Sequence, residues 1–133
     1  MSGIIGGAGS KSGVIGTTEL DYEEGTLTIT GTNVTSNSGR YTKIGNVVTV
    51  TFRFTASGGT MTNYPGGLPF TSESQVSSEK PGGGSVIFHN QDSNTWNAYV
   101  FESNTTFAFY KGDTQSVLTD GATAMVCMTY ISV

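Results

Sequence analysis

The stretch Val48-Thr-Val-Thr-Phe-Arg-Phe-Thr55 constrains the fold more than any other part of this chain. Val48, Val50, Phe52 and Phe54 alternate with Thr49, Thr51, Arg53 and Thr55. Successive side chains of a strand point to opposite faces, so this spacing predicts one apolar and one polar face. That is the pattern of an antiparallel sheet with one side on a core. Gly45-Asn46 before it and Ser57-Gly-Gly59 after it are turn signals.

The rest of the chain repeats the rhythm. Residues 26–30 alternate, 31–39 read as a turn-rich link, and Arg40-Tyr-Thr-Lys-Ile44 leads into the turn at Gly45. Pro65-Gly-Gly67 and Pro81-Gly-Gly-Gly84 read as loops, with strands expected over 85–89, 96–102, 106–111 and 122–132. The last of these is apolar on both faces, with Val126, Met128 and Tyr130 on one and Met125, Cys127 and Ile131 on the other. Such a strand is either central and covered twice or packed on another subunit. Helix formers are scarce: the four leucines are Leu20, Leu27, Leu68 and Leu118. Short strands joined by glycine-rich turns predict an all-β, antiparallel β-sandwich of jelly-roll-like type.

Residues 1–25 precede this pattern and read as an extended N-terminal arm, with 26–133 as the sandwich domain. The Gly/Ser-rich start carries Ile4, Ile5, Val14 and Ile15, too few to nucleate a core alone. These four are the expected anchoring residues, ordering on a neighbour; a floppy tail is the alternative. With Met1 at its head, the chain reads as a complete small protein.

Composition removes several function classes. Charged residues are 12% of the chain, against about 25% in ordinary soluble domains. The formal charge is −4, and the six basic residues (Lys11, Arg40, Lys43, Arg53, Lys80, Lys111) form no stripe, which argues against nucleic acid binding. No apolar run approaches the roughly 18 residues of a membrane span, so no membrane insertion is expected. The N-terminus lacks the basic start and apolar core of a secretory signal. Cys127 is the only cysteine and sits in an apolar run, where it reads as a small hydrophobe rather than a reactive thiol.

Catalytic and metal motifs are wanting. Gly6-Gly-Ala-Gly-Ser-Lys-Ser12 departs from the phosphate-loop pattern, because Ile5 and Ser10 stand where glycines belong and no strand precedes it. His89 is the only histidine, and no spacing marks a nucleophile or orienting acid for it. Asp92, Asp113 and Asp120 lie in separate turns, without the alternating acidic loop of calcium sites. Glu73, Glu79 and Glu102 are the carboxylates from which a glycosidase pair would have to come. No catalytic residue, metal or cofactor is therefore expected. Asn33-Val-Thr35 and Asn104-Thr-Thr106 match the glycosylation acceptor pattern, as chance predicts in so Asn- and Thr-rich a chain. The ligand-binding candidate is His89-Asn-Gln-Asp-Ser-Asn-Thr-Trp96. There Asn90, Asp92 and Asn94 beside Trp96 suit a sugar's hydroxyls and apolar face. A polar turn ahead of a core Trp is the competing reading.

Three segments carry a resemblance. Gly9-Ser-Lys-Ser-Gly-Val-Ile-Gly-Thr-Thr-Glu19, running into Asp21-Tyr-Glu-Glu-Gly-Thr26, is similar to a segment of many structural proteins of tailed, especially marine, bacteriophages. Arg40-Tyr-Thr-Lys-Ile-Gly-Asn-Val-Val-Thr-Val50 resembles the first long strand of the domain that follows it there. Gly67-Leu-Pro-Phe-Thr-Ser72 resembles a motif that leads into a later strand. In that family Trp and Pro typically follow the Glu-Glu-Gly-Thr step, whereas here Leu27 and Ile29 stand in this stretch. The resemblance implies a β-sandwich protein of the virion's outer surface, often a tail fibre and usually a homotrimer. It brings no catalytic residues. The chain shows no heptads or repeats of a fibre shaft. A capsid decoration (cement) protein, clamped by its arm onto the major capsid protein, is thus the expected role. A tail-fibre tip, joined to a tail or fibre adaptor protein and binding a host-surface receptor, is the alternative.

Overall fold

In a computed structural model of the chain, residues 21–74 and 81–133 are described. The anchoring residues Ile4, Ile5, Val14 and Ile15, and Glu79, lie outside them. The described residues contain no helix and form eight strands. These are β1 (Tyr22–Leu27), β2 (Val34–Ile44), β3 (Val47–Ala56), β4 (Gly82–His89), β5 (Trp96–Val100), β6 (Phe107–Lys111), β7 (Thr114–Ser116) and β8 (Thr123–Ile131). All pair antiparallel in the order β1-β2-β3-β8-β4-β5-β6-β7. After the β4-to-β7 meander the chain returns to lay β8 beside β4, a Greek-key closure.

The single hydrogen-bonded sheet folds over into two layers. Along the sheet β3 and β6 are four strand spacings apart, roughly 19 Å if it were flat. Yet Phe52 of β3 and Phe107 of β6 have ring centroids 5.1 Å apart, and Phe54 and Phe109 stack at 6.1 Å. The front layer is β1-β2-β3-β8 and the back layer β5-β6-β7, with β4 at the fold. The core between them holds Val48, Val50, Phe52 and Phe54 as the alternation predicts, with Val126, Met128 and Tyr130 of β8 and Trp96, Ala98 and Val100 of β5.

Glycines make the fold-over possible. A Cβ on Gly84 would sit 1.8 Å from the Cys127 carbonyl oxygen, and one on Gly82 2.2 Å from that of Thr129. On the other side, a Cβ on Gly83 would be 2.7 Å from the Ala98 carbonyl oxygen. Three residues without side chains let β4 press against β8 and β5 at once, the corner role of strand glycine. Gly82 to Gly84 are therefore strand, not the loop their composition suggests.

The other departures also have local causes. β2 begins at Val34, inside the stretch read as a link, because a bulge between Thr35 and Ser38 absorbs the irregularity. Asn37 there takes over a ladder partner's role: its amide accepts from Ile29 N and donates to Ile29 O, both at 3.1 Å. The first strand is displaced toward the N-terminus, so residues 22–25, grouped with the arm on sequence, belong to the sheet edge. β7 was not apparent; it follows the tight turn at Gly112, whose φ is 65°.

Candidate functional site

The turn singled out from sequence is built around Asp92. Its Oδ1 accepts hydrogen bonds from Trp96 Nε1 at 2.9 Å and Asn94 N at 3.1 Å, and its Oδ2 pairs with Lys111 Nζ at 2.9 Å. The indole N–H first, then the Lys111 ammonium, hold this carboxyl well below the usual carboxylate range. Asn90, Asp92 and Asn94 are exposed. Trp96 is not: 4% of it meets solvent, and it packs edge-on against Phe88 at 4.7 Å. The turn thus has the form of the competing reading, a polar turn ahead of a core Trp, and presents no aromatic face to a sugar.

Among the described residues the remaining polar candidates form no common cluster. Asp120 Oδ1 accepts from Gly58 N at 2.8 Å and Gly59 N at 3.3 Å, so it shapes a turn. His89 ends β4 opposite Thr123. The loops of Glu73 and Glu102 touch, where Ser103 N donates to Glu73 O at 3.5 Å. Among the described residues no group of three His, Cys, Asp or Glu side chains is placed to hold a metal ion.

What the fold does assemble is an open surface on the outer side of the front layer. β8 is central, between β3 and β4, but only one of its faces is covered. Val126, Met128 and Tyr130 enter the core; Met125 and Cys127 face out, with Ile87 of β4 beside Met125. Ile87 is 66% and Met125 41% exposed. Cys127 is exposed, which corrects the reading of it as a small buried hydrophobe: the phase of β8 that fills the core is the other one. Tyr22, Ile44 and Val47 form a second exposed apolar patch at the β2–β3 hairpin end of this face. Between the patches runs a band of hydroxyls, in which Thr49 and Thr129 hydrogen-bond at 3.2 Å.

A shallow depression of about 630 Å³ crosses this face, with Arg40, Arg53, Ile87, Met125 and Cys127 on its walls. Arg40 lies opposite Thr51 and Arg53 opposite Ser38, so the two arginines are diagonal neighbours on adjoining strands. The ion pairs among the described residues are Lys43–Asp21 and Lys111–Asp92. Arg40 and Arg53 therefore have no carboxylate partner among them. In contrast, the edge strand β1 is acidic: Glu23 accepts from Tyr41 Oη at 2.6 Å and Glu24 from Tyr22 Oη at 2.5 Å. Those hydrogen bonds to the carboxylates raise the pKa of both phenols.

The outer side of the back layer is different in kind. Tyr99 and Phe101 point outward from the end of β5, in the phase opposite to Trp96, Ala98 and Val100. With Tyr110 of β6 and Tyr64 of the 57–73 loop they form a strip of rings in mutual contact. Sequence reasoning missed this group because Tyr64 reaches it from a distant loop.

Against known proteins, the chain matches no family model, no curated protein and no solved structure.

Proposed function

We propose that this chain is a non-catalytic structural protein of a bacteriophage virion surface, which works by self-association and by binding a larger assembly. The virion assignment is supported by the three segments around Gly9, Arg40 and Gly67 that resemble phage structural proteins. The observation that carries the assembly reading is the central strand β8 with Met125 and Cys127 turned to solvent beside Ile87. A contiguous exposed apolar patch on a small domain marks an interaction surface.

Charge favours a cyclic contact. A two-fold, face-to-face contact would bring two copies of the Arg40–Arg53 pair into one interface. A head-to-tail contact instead sets those arginines against the acidic edge strand β1 of the next copy. Such heterologous contacts close into rings, of which a trimer is a small one. The role proposed for the trimer is capsid decoration, stabilising the shell by binding only its assembled form, as any ligand of one state stabilises that state. Gold labelling of intact virions with an antibody to the chain tests this: label over the head is expected, and label confined to the tail contradicts it. The second reading, a tail-fibre tip that contacts a host surface, is favoured by the outward aromatic strip of the back layer.

A further inference from the structure

We infer that the aromatic strip of the back layer is a saccharide-binding site, shaped for a neutral pyranose ring. The inference does not depend on where in a virion the chain resides, nor on its oligomeric state.

Four rings make the strip. Tyr110 and Tyr99 have centroids 4.6 Å apart, Tyr99 and Phe101 4.9 Å, and Phe101 and Tyr64 5.1 Å. Ala108 lies opposite Tyr99 on β6 and is 0% exposed although its strand faces outward there, so the rings lean over it. Tyr64 keeps 51% of its surface in solvent. At this end a depression of about 400 Å³ is lined by Tyr64, Phe101, Glu102, Asn104 and Thr106. That volume lies in the range of small-molecule sites, at the end suited to one or two rings.

The lining has the two chemistries a sugar needs. A pyranose presents a face of C–H bonds, which packs on an aromatic ring, and a rim of hydroxyls, which both donate and accept hydrogen bonds. The Tyr64 and Phe101 rings supply the first. For the second, Asn104 uses its Oδ1 to accept from Thr105 N at 2.8 Å, and its amide nitrogen makes no hydrogen bond among the described residues. The Thr106 hydroxyl, likewise without one, can donate or accept. Among the described residues no Lys or Arg lines the depression. With a formal charge of −4 on the chain, carboxylated sugars are disfavoured.

The walls are held before any ligand arrives. Phe101 N donates to Thr106 O at 3.1 Å and Phe107 N to Pro65 O at 3.0 Å, tying the β5–β6 loop to the segment that carries Tyr64. Buried Ser72 donates to Phe101 O and accepts from Asn104 N at 3.3 Å. A site fixed in this way loses little entropy on binding.

The test is a chemical-shift titration of the full chain with methyl β-glucopyranoside, methyl β-galactopyranoside and N-acetylglucosamine, each to about 50 mM. That ceiling lies well above the millimolar Kd expected of a single ring. At least one sugar should shift the backbone amides of Tyr64, Phe101, Asn104 and Thr106. Tyr64→Ala, at an exposed position, should weaken that binding about tenfold or more, and Thr106→Val severalfold. N-acetylneuraminic acid should leave the same amides unmoved. The inference is overturned if none of the three neutral sugars shifts these amides. It is equally overturned if Tyr64→Ala titrates like the unsubstituted chain, or if the acidic sugar binds as well as the neutral ones.

Discussion

Met125 and Ile87 stand opposite each other across the β8–β4 ladder, in register and both turned to solvent on the open face of the front layer. Cross-strand pairs of this kind stabilise a sheet modestly, so their exposed surface is free to serve an interface. Met125→Lys should leave the stability of the folded chain within about 0.5 kcal/mol, because it removes no core contact. It should however abolish self-association. Cys127, on the same patch, gives the readout: slow reaction with a thiol reagent in the assembled protein, and fast reaction in Met125→Lys. Equal rates in both would show that this face is not the contact.

The corner at β4 makes a sharper demand. Gly84→Ala places a methyl group 1.8 Å from the Cys127 carbonyl oxygen and 2.7 Å from the Met128 Cα, both backbone atoms of a central strand. Neither can yield without breaking the β4–β8 ladder, so a loss of more than about 3 kcal/mol, or failure to fold, is expected. Gly45→Ala is the control: its φ is +60° but a Cβ meets nothing within 4 Å, and it should cost about 1 kcal/mol. Denaturant unfolding of both variants tests the contrast.

Tyr130 ties β8 to the 57–73 loop. Its hydroxyl donates to Phe70 O at 3.0 Å and accepts from Phe70 N at 3.2 Å. Tyr130→Phe should cost about 1–3 kcal/mol, the penalty for stranding those backbone groups. Burial pushes the phenol up to about 12. A raised pKa means the unfolded chain loses the proton first, so this contribution is complete below pH of about 10 and falls as pH rises toward 12. The unfolding midpoint of the unsubstituted chain should decline across that window more steeply than that of Tyr130→Phe.

Asp92 works with the opposite sign. Its carboxyl is held well below the usual range, so its contribution is present above pH of about 4 and is lost as pH falls toward the folded value. Asp92→Ala should lower the melting temperature at neutral pH, with the gap to the unsubstituted chain closing in acid. A gap that persists unchanged at low pH would mean that the charge is not what matters.

How much of this was legible in the sequence follows from what each signal depends on. Period-two alternation depends on a strand having one wet and one dry face, and it placed Val48, Val50, Phe52 and Phe54 in the core correctly. The same logic limited β8: two apolar phases said that both faces matter, not which one enters the core. Asn37, Gly39 and Gly82 to Gly84 read as turn residues because their strand roles are set by neighbours. A Cβ on Gly39, for instance, would meet Phe52 Cβ at 2.7 Å. For Trp96 the sequence left two readings open, a ligand platform or a core Trp after a polar turn, yet its even spacing with Ala98 and Val100 already marked the core phase. By the same spacing Tyr99 and Phe101 point outward, a local signal that was there to be read. The contact with Tyr64 is tertiary and was not.

The central claim is self-association through the open front face, and sedimentation of the purified full chain at micromolar concentration tests it most directly. A species of three times the 13.9 kDa chain mass is predicted, falling to the chain mass in Met125→Lys. A stable 13.9 kDa monomer for the unsubstituted chain would contradict the account.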